Sequence, residues 1–593
     1  MEIMKLSDYL FEFLKEKNVR HIFMLPGGGA MHLVDSLGKS GISYVPFLHE
    51  QAAAIAAEAY GQHTNTPGVL LVTSGPGGTN AITGVTAGWI DSTPMFIISG
   101  QAKRSDLVGD SGVRQIGSQE VQIVDMVRPI TKSAVQILDP TKIRYELEKN
   151  WHEATSGRPG PVWLDIPLDV QAAEIAPEQL EGFHPSKTVN DQTEDAVSNV
   201  LNKLRESRKP LIIAGNGIKL SGAVEDLKGL LHLIKVPVET TWKTIDMFAE
   251  DDELYVGHPG IMGDRGANLI LQESDFILSI GSRLDTSITA FDEGNFGKNA
   301  TKIIIDIDEH ELSRMKFRNA SYYASDAGVF LRKMMKACSD AENGTLLNAQ
   351  ASERADWILH CKEIRNRYPV VTEEHRNREG CISAYHFIDY LCELLREDDV
   401  IVPESSGGAG EITYQAFRLK EGQKMKNAAG LGSMGFGVPY TIGACLANDR
   451  RRTILINGDG AFQLNIQELE TIHRLCLPVK MFVWDNGGYA SIRSMQRNNF
   501  DGHYVASDAE SGSTFPDISK ITEAYGFETY VLQTGKEMEQ LLPKIMRDDN
   551  PVVCILKVDP EETVSPRVKA YITEDGSMKS GALEKMWPFI SEG

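Results

Sequence analysis

Short apolar runs that end in glycine or a polar residue recur along the whole chain, with helical segments between them. Runs that are apolar throughout, rather than alternating, are typical of strands buried on both faces. Alternation of such strands with helices indicates parallel sheets, so the pattern predicts an α/β protein with three doubly wound domains. The runs are His21–Leu25, Tyr44–Leu48, Val69–Thr73, Met95–Ser99, Val162–Ile166, Leu211–Ala214, Phe276–Ile280, Ile303–Ile307, Val400–Pro403, Thr453–Ile456, Val479–Trp484 and Val552–Val558.

Polar stretches between these groups of strands predict the domain boundaries. Ala173–Thr193 is rich in Glu and Pro, and Ser339–Asn377 is polar and charged, so we interpret both as linkers. The C-terminal tail shows no clear strand and ends in the apolar patch Met586–Ile590, which suggests a lid or a clamp. The predicted units are domains at residues 1–175, 190–340 and 375–560 and a tail at 561–593.

Charge and hydropathy narrow the function classes. The chain carries 60 Lys and Arg against 82 Asp and Glu, a formal net charge of −22, which disfavours nucleic acid and anionic membranes as partners. No apolar run approaches the ~18 residues of a membrane helix. The N-terminal pattern predicts an amphipathic helix. It lacks the basic segment followed by an apolar one that is typical of a signal peptide, so we expect a cytoplasmic location.

Glycine-rich segments follow several of the predicted strands. In doubly wound sheets, ligands bind beyond the carboxyl ends of the strands, so these segments predict several binding sites. Gly38–Ser40 resembles the end of a Walker phosphate loop, but Leu33 stands where the first glycine is required, and no GxGxxG follows the first strand. The segments are Pro26–Gly29, Ser74–Gly78, Gly215–Gly217, Gly458–Gly460 and Asn486–Gly488.

The strongest constellation lies in the last third of the chain. Asp459 follows one predicted strand, and Asn486 follows the next, 27 residues later. Together with the Gly488 carbonyl they offer three hard oxygen ligands, the type that Mg²⁺ prefers. The adjacent glycines let the backbone approach a diphosphate closely. This spacing predicts a metal–diphosphate site with Asp459, Asn486 and Gly488 as the metal ligands.

The pattern of GDG followed, after a little under thirty residues, by Asn resembles the thiamin diphosphate (ThDP) binding motif. One further segment resembles the one that carries the catalytic glutamate of that superfamily, and four more resemble the catalytic subunits of acetolactate synthases. The resemblance covers about residues 5–560. It implies the ThDP-binding fold, with a pyrimidine-binding (PYR) domain first, a central domain next and a diphosphate-binding (PP) domain last. The segments are Leu48–Ala54, Thr73–Asn80, Gly100–Gln101, Gly157–Pro161 with Asp165–Pro167, and Gly430–Pro439.

The resemblance also implies roles for individual residues. Glu50 is expected to hydrogen-bond N1′ of the aminopyrimidine, Met434 to support the bent cofactor, and the Gly432 carbonyl to accept from the 4′-amino group. In this family the two halves of each site come from different subunits. A homodimer or homotetramer follows, in which Glu50 faces Asp459 of the partner subunit. Further implied cofactor contacts are Gly28, Pro76, Asn80, Gly458, Gly460, Ala461 and Tyr489.

The resemblance to acetolactate synthases also implies a second cofactor. The resemblance implies a bound FAD without a redox role, held largely by the central domain. One of the implied flavin contacts, Arg158, has an alternative interpretation as an ordinary surface arginine. The residues that align with flavin contacts are Arg158, Gly215, Asn216, Gly217, Arg283 and Asp306.

The part of the site that receives the acceptor departs from the synthase pattern. Ser287 replaces an Arg, Leu168 a Lys, Met495 a Trp and Ser118 a Phe. Gln119 is retained, which is consistent with carboligation. Recognition of a second carboxylate needs cations, so the loss of two of them favours an acceptor without a free carboxylate.

The segment Asn486–Arg493 and His32 resemble a branch of acetolactate-synthase-like flavoenzymes found in polysaccharide and branched-sugar biosynthesis. His32 is a candidate for the substrate pocket, with a structural histidine as the alternative. Arg493 is interpreted as a solvated surface cation rather than a contact to a nucleotide diphosphate. Glu50, Gln119 and His32 are the catalytic candidates.

The expected function is a ThDP- and Mg²⁺-dependent carboligase. Such a transferase decarboxylates a 2-oxo acid, with pyruvate foremost, and passes the two-carbon unit to a carbonyl acceptor such as a keto-sugar nucleotide. The alternative is acetolactate synthase proper, in which the acceptor is a second 2-oxo acid. A decarboxylase, a C–C hydrolase, an oxidase and a catalytically silent paralogue are the remaining alternatives.

Overall fold

The computed structural model describes residues 3–185, 191–340, 351–574 and 576–590. Three parallel sheets of six, five and six strands follow one another along the chain. Apolar cores lie on both faces of each sheet. This confirms the predicted α/β fold of three doubly wound domains, while their boundaries stay predictions. Within the described ranges, no helix is both long and apolar enough to cross a bilayer.

The first sheet belongs to the N-terminal domain. Its strands are β1 His21–Met24, β2 Ser43–Pro46, β3 Gly68–Val72, β4 Met95–Gln101, β5 Ser133–Gln136 and β6 Pro161–Pro167. Its helices are α1 Leu6–Glu16, α2 Met31–Ser40, α3 Glu50–Thr64, α4 Pro76–Ile90, α5 Ile123–Val127, α6 Ile143–Thr155 and α7 Leu168–Gln171. The strand order is β2-β1-β3-β4-β6-β5, and every pair is parallel. All six carboxyl ends therefore lie at one edge.

The middle domain again has an all-parallel sheet. Its strands are β7 Pro210–Ala214, β8 Val238–Thr240, β9 Phe276–Ile280, β10 Thr301–Asp306 and β11 Ala320–Ala324. Their order is β8-β7-β9-β10-β11. Its helices are α8 Thr193–Glu206, α9 Asn216–Leu220, α10 Val224–Ile234, α11 Arg265–Glu273, α12 Thr286–Thr289, α13 Glu309–Arg314 and α14 Ala327–Ser339. Two more helices lead to the last domain, α15 Ala351–Arg367 and α16 Glu373–Arg376.

The third domain repeats the six-stranded parallel arrangement. Its strands are β12 Val400–Pro403, β13 Lys424–Met425, β14 Thr453–Gly458, β15 Val479–Asp485, β16 Glu528–Leu532 and β17 Val552–Lys557. Its helices are α17 Ala384–Leu394, α18 Gly408–Ala416, α19 Gly437–Ala447, α20 Asp459–Gln463, α21 Leu469–Arg474, α22 Ala490–Asn499, α23 Ile518–Ala524 and α24 Gly535–Ile545. The order is β13-β12-β14-β15-β17-β16, so β14 and β15 are neighbours.

The apolar runs in the sequence predict the interior strands but miss five others. β5, β8, β11, β13 and β16 each lie at an edge of a sheet. Most residues of β5, β11 and β16 are only half-buried or exposed, and β8 and β13 have only three and two residues. An edge strand needs no apolar side chains on both faces, so a search for fully apolar runs passes over it.

The tail is wrongly predicted to lack strands. Arg567–Val568 pairs with Met586–Trp587, and Ala570–Ile572 pairs with Met578–Ser580, both antiparallel. Apolar side chains of the tail enter a core of the middle domain. Arg265 of α11 donates hydrogen bonds to two backbone carbonyls of the tail, at 3.1 and 2.7 Å. The tail therefore docks on the middle domain through strands too short to leave a pattern in the sequence.

Helices α3 and α19 pack against each other and place the first and third domains in one apolar core. The α3 residues 52–57, five alanines and one isoleucine, are fully buried. A Cβ on Gly443 of α19 would lie 2.1 Å from the carbonyl oxygen of Ala56, so the two backbones are in contact. The helices run in the same direction, because His63 near the end of α3 meets Asn448 at the end of α19 at 3.0 Å.

Gly443→Ala should lower the free energy of unfolding by about 1–3 kcal/mol, since the added methyl group has no room between the helix backbones. Gly38→Ala in α2 is the matched control, because a Cβ there meets nothing within 4 Å. The control should be neutral or stabilising by up to about 1 kcal/mol. Urea unfolding measures both. Equal stabilities of the Gly443→Ala and wild-type proteins would contradict the close α3–α19 contact.

Candidate active site

Asp459 stands where β14 ends and α20 begins, at the carboxyl edge of the third sheet. Its Oδ1 atom accepts the N–H of Gly460 at 2.7 Å. Its Oδ2 atom accepts the N–H groups of Asn486 (3.2 Å) and Gly488 (3.1 Å), which follow the neighbouring strand β15. One carboxylate thus joins the two strand ends.

This arrangement fits a divalent cation. Burial, together with the neighbouring Asp485, raises the pKa of the Asp459 carboxyl to about 6. The Asn486 Oδ1 atom is buried and has no hydrogen-bond partner among the described residues. The Gly488 carbonyl accepts the N–H of Ala490 at 3.1 Å, which leaves its second lone pair available. A hard cation would stabilise the buried carboxylate and satisfy the amide oxygen.

Two glycines beside this carboxylate are required by close packing. A Cβ on Gly460 would lie 2.5 Å from the ring of Tyr489. Gly488 has a φ of 140°, which favours glycine, and a Cβ there would lie 2.4 Å from a backbone carbonyl. Beside Gly458, by contrast, a Cβ would meet nothing within 4 Å. The Gly458 side of the loop, which continues through Ala461 into α20, is therefore open to a ligand.

A third strand end joins the site, and the sequence analysis missed it. The segment Glu404–Gly408 follows β12, and Gly407, with a φ of 71°, is the N-cap residue directly before α18. The Ser406 hydroxyl is buried and has no partner among the described residues. A Cβ on Gly407 would lie 3.4 Å from Ser491 Oγ, so this segment adjoins the loop after β15. Its signal was present, because two glycines follow a fully apolar strand.

Glu404 holds the loop that carries Met434. Its carboxylate accepts the N–H groups of Phe436 (3.3 Å) and Gly437 (3.0 Å), and burial raises its pKa to about 7. Gly432 has a φ of 62°, and Met434 is 41% exposed. The side chain that resemblance places under the cofactor therefore projects from a loop fixed at a strand end.

Glu50 is the first residue of α3 and is buried. Asn80 of α4 donates from Nδ2 to Glu50 Oε2 at 3.0 Å. Pro76 begins α4 after Gly75, and a Cβ on Gly75 would lie 2.5 Å from the Gln119 carbonyl oxygen. Glu50, Asn80, Pro76 and Gln119 are thus gathered by two helix starts and one loop.

Gly28 and His32 lie at the same carboxyl edge, after β1. Gly28 begins a short 3₁₀ turn, and His32 is the second residue of α2 and partly exposed. The turn is fixed by a hydrogen bond from the Gly29 N–H to Thr73 Oγ1 at 3.1 Å. This places both residues near the Thr73–Pro76 loop.

The six residues that align with flavin contacts largely converge on one cavity of about 680 Å³. Arg158, Asn216, Gly217, Arg283 and Asp306 all line it. Gly215 lies beside it and lets the loop after β7 touch the loop after β9, since a Cβ there would lie 2.1 Å from the backbone of Ser282. The size and position of the cavity suit a ligand as large as a dinucleotide.

The cations that line this cavity each have an acidic partner. Arg158 pairs with Asp308 (2.8 Å) and Glu311 (3.0 Å), so it is not an ordinary surface residue. Arg283 pairs with Asp285 at 2.8 Å, and Lys243 pairs with Asp91 at 2.7 Å. An anionic ligand would have to compete with these carboxylates.

The four departures on the acceptor side lie on different elements. Ser287 lines the large cavity, whereas Leu168 begins α7. Met495 is 50% exposed on α22, and Ser118 is exposed in the loop before α5. Of the four, only Ser287 is a lining residue of this cavity.

Arg493 corrects a prediction, because it is buried and not a solvated surface cation. From α22 its guanidinium donates to the carbonyls of Asn486 (2.8 Å) and Gly487 (3.3 Å). It also donates to the carbonyls of Ser507 (3.2 Å) and Pro560 (3.4 Å). Arg493 therefore fixes the loop that carries the candidate metal ligands, a role that spacing in the sequence does not reveal.

The chain matches three family models. Residues 4–126 match the N-terminal TPP binding domain of thiamine pyrophosphate enzymes. Residues 197–334 match the central domain of these enzymes. Residues 406–556 match their C-terminal TPP binding domain.

Similar curated proteins share almost the full length. The acetolactate synthase large subunit of Lactococcus lactis is 30% identical over 578 residues, covering 96% of this chain and 95% of that protein. The acetolactate synthase large subunit of Corynebacterium glutamicum is 31% identical over 573 residues, with 94% and 87% covered. The acetolactate synthase isozyme 2 large subunit of Escherichia coli is 28% identical over 585 residues, with 98% and 99% covered.

Arg493→Gln should weaken the binding of ThDP with a divalent cation by about tenfold or more, because four carbonyls lose charge-assisted donors. Arg497→Gln is the matched control, since Arg497 lies one turn further along α22 and pairs with Glu561 at the surface. Titration of ThDP followed by circular dichroism measures both affinities. Wild-type affinity in Arg493→Gln would show that Arg493 does not position the loop.

Proposed function

The chain belongs to the thiamine pyrophosphate enzymes, and from that premise we propose that it is a carboligase acting on pyruvate or a close 2-oxo acid. It is a ThDP-dependent C–C bond-forming enzyme similar to acetolactate synthases. The observation that carries the proposal is the Asp459 carboxylate joining two strand ends beside the unpartnered Asn486 oxygen. ThDP, when bound, supplies the electron sink that lets a 2-oxo acid lose CO₂ and its acyl carbon attack a second carbonyl.

The acceptor that we propose is a second 2-oxo acid, so that pyruvate alone yields acetolactate. The relatives support this acceptor, because the similar proteins are named acetolactate synthases and the match covers most of their length. The expected keto-sugar nucleotide acceptor receives no support from the comparisons. An acceptor with a carboxylate has to bind although Ser287 supplies no positive charge and Arg283 is already paired with Asp285.

Residues of the third domain would hold the diphosphate end of the cofactor through a cation. We assign Mg²⁺ to Asp459, the Asn486 Oδ1 atom and the Gly488 carbonyl, because hard oxygen ligands and phosphate suit this ion. The space on the open side of Gly458 would receive phosphate oxygens, which would accept from the Ser406 hydroxyl, an atom without a partner among the described residues. Glu404 and Arg493 act by positioning, since they fix the two loops around this space.

Glu50 would handle the proton at the pyrimidine end. Asn80 holds Glu50 Oε2, so Oε1 is the atom available to N1′ of the aminopyrimidine. A carboxyl group at a helix start, held in one orientation, can exchange a proton with that nitrogen. The fully buried alanines that follow it in α3 keep water from this side of the site.

We assign FAD to the large cavity, without a redox role. Arg158, Asn216, Gly217, Arg283 and Asp306 line a volume of about 680 Å³ at the carboxyl edge of the middle sheet. A titration of the protein with FAD, followed by quenching of flavin fluorescence, tests the assignment.

A second copy of the chain would complete the site. Large apolar side chains are exposed beside the elements described above, with Leu48 at 55%, Met434 at 41% and Leu464 at 50%. Their burial against a partner is consistent with the homodimer that the family resemblance implies.

Incubation with ThDP, Mg²⁺, FAD and pyruvate alone tests the proposed reaction. We expect one acetolactate and one CO₂ for every two pyruvates consumed. Slow CO₂ release with little acetolactate would contradict the proposed acceptor. It would direct the search to acceptors without a carboxylate. No CO₂ at all would contradict pyruvate as the donor.

Glu50→Gln should keep the fold and slow hydrogen–deuterium exchange at C2 of bound ThDP by about 100-fold or more, because the proton relay is lost. Glu58→Gln on the same helix is the matched control, since Glu58 is fully buried and bonds Thr93 and Gln62. Its exchange rate should equal that of the wild type. Acid quench with NMR detection measures both rates, and an unchanged rate in Glu50→Gln would remove Glu50 from the mechanism.

A further inference from the structure

Two adjoining cavities of about 260 and 180 Å³ lie where the three domains meet. Both are lined by His63 of α3, Lys219 of α9, Val224 and Lys426, and we call them together the junction cavity. Neither Glu50 nor the residues around Asp459 line it. Five lysines but only three carboxylates line its larger part, so its wall carries excess positive charge.

Most of the carboxylates at the junction cavity are already engaged. Asp246 pairs with Lys219, and Glu421 pairs with Lys228 at 3.1 Å. Lys420 donates to the carbonyl of Leu395 at 2.7 Å. Ion pairs therefore account for two of the five lysines.

Lys424 and Lys426 form no ion pair with the described residues. Lys424 donates to Asn448 Oδ1 at 2.8 Å, and Lys426 donates to the Gln62 carbonyl at 2.5 Å. Burial, followed by the nearby Lys219, lowers the pKa of Lys426 to about 7. The two lysine side chains thus line one cavity, and neither has a carboxylate partner among the described residues.

The His63 side chain adds an N–H donor that has no hydrogen-bond acceptor among the described residues. Because Lys424 occupies Asn448 Oδ1, the Asn448 amide nitrogen faces His63 and donates to Nδ1 at 3.0 Å. The neutral imidazole then carries its proton on Nε2. That Nε2 atom is buried, and no described residue accepts from it. Burial and the surrounding lysines hold the pKa of His63 well below its usual range, which keeps the ring neutral.

The C-termini of α3 and α19 account for part of the positive charge of the junction cavity but not for all of it. Both helices end here, and each C-terminus carries about half a negative charge, which lysines stabilise. A helix C-terminus presents carbonyl acceptors, and His63 Nε2–H does not reach one. Within the described part of the chain, the His63 N–H and the two lysines without ion pairs have no anionic acceptor.

We propose that the junction cavity binds a phosphate dianion, free or as the terminal group of a phosphomonoester, through Lys424, Lys426 and the Nε2–H of His63. A tetrahedral dianion offers several acceptor oxygens to converging donors, and lysine binds phosphate as a point charge. Such a ligand would join the first domain to the third at the ends of α3 and α19. It would therefore stabilise the domain arrangement from a cavity that adjoins the one assigned to FAD, with Asn216 in the wall of both, and that contains none of the residues around Asp459.

Calorimetric titration of inorganic phosphate into the full chain, saturated with ThDP, Mg²⁺ and FAD, tests the proposal. We expect one saturable site per chain, weakened about tenfold or more in Lys424→Met and Lys426→Met. Lys203→Met is the control with wild-type affinity, because Lys203 lies on α8 and pairs with Glu206. Absence of saturable binding to the wild type, or equal affinities in all four proteins, would overturn the proposal.

Labelling the histidines with ¹⁵N gives a readout that needs no variant. Phosphate, but not chloride at equal ionic strength, should shift the Nε2 resonance of His63, and an unmoved resonance would overturn the proposal. Ribose 5-phosphate distinguishes the sources of the dianion. A lower Kd than that of phosphate, lost in Lys426→Met, indicates a phosphomonoester, and a higher one indicates free phosphate. The test does not depend on the proposed carboligation, since it involves no turnover.

Discussion

The parallel packing of α3 on α19 is the interaction on which the rest of the structure depends. Alanines on one helix and Gly443 on the other bring the two backbones into contact and place the first and third domains in one core. At the helix starts, Asn465 bridges Gln51 and Gly435 and links the Glu50 helix to the Met434 loop. At the helix ends lies the junction cavity. Any change in this contact would move both places together.

The chemistry of the third domain follows from a buried carboxylate at each of two strand ends. Asp459 and Glu404 are both buried, and burial raises the pKa of each. Both are held by backbone N–H groups of a neighbouring loop, so each carboxylate organises backbone rather than a charged partner. Parallel strands direct these loops to one edge, where a cation and a diphosphate can bind together.

Much of this could be predicted from the sequence, because interior strands and strand-end glycines leave strong patterns. The pairing of Asp459 with Asn486 needs only two neighbouring parallel strands. Edge strands such as β11 and β16 leave weak patterns, since one of their sides is solvated. Arg493 and the junction lysines were out of reach for another reason. Their partners are backbone carbonyls and residues of other domains, which no local spacing encodes.

We propose that the ends of β14 and β15 hold a divalent cation for the cofactor. The most direct measurement is the anomalous signal of Mn²⁺ in crystals grown with ThDP. We predict one peak at about 2.0–2.3 Å from an Asp459 carboxylate oxygen, Asn486 Oδ1 and the Gly488 carbonyl oxygen. A peak elsewhere, or none with the cofactor bound, would contradict it.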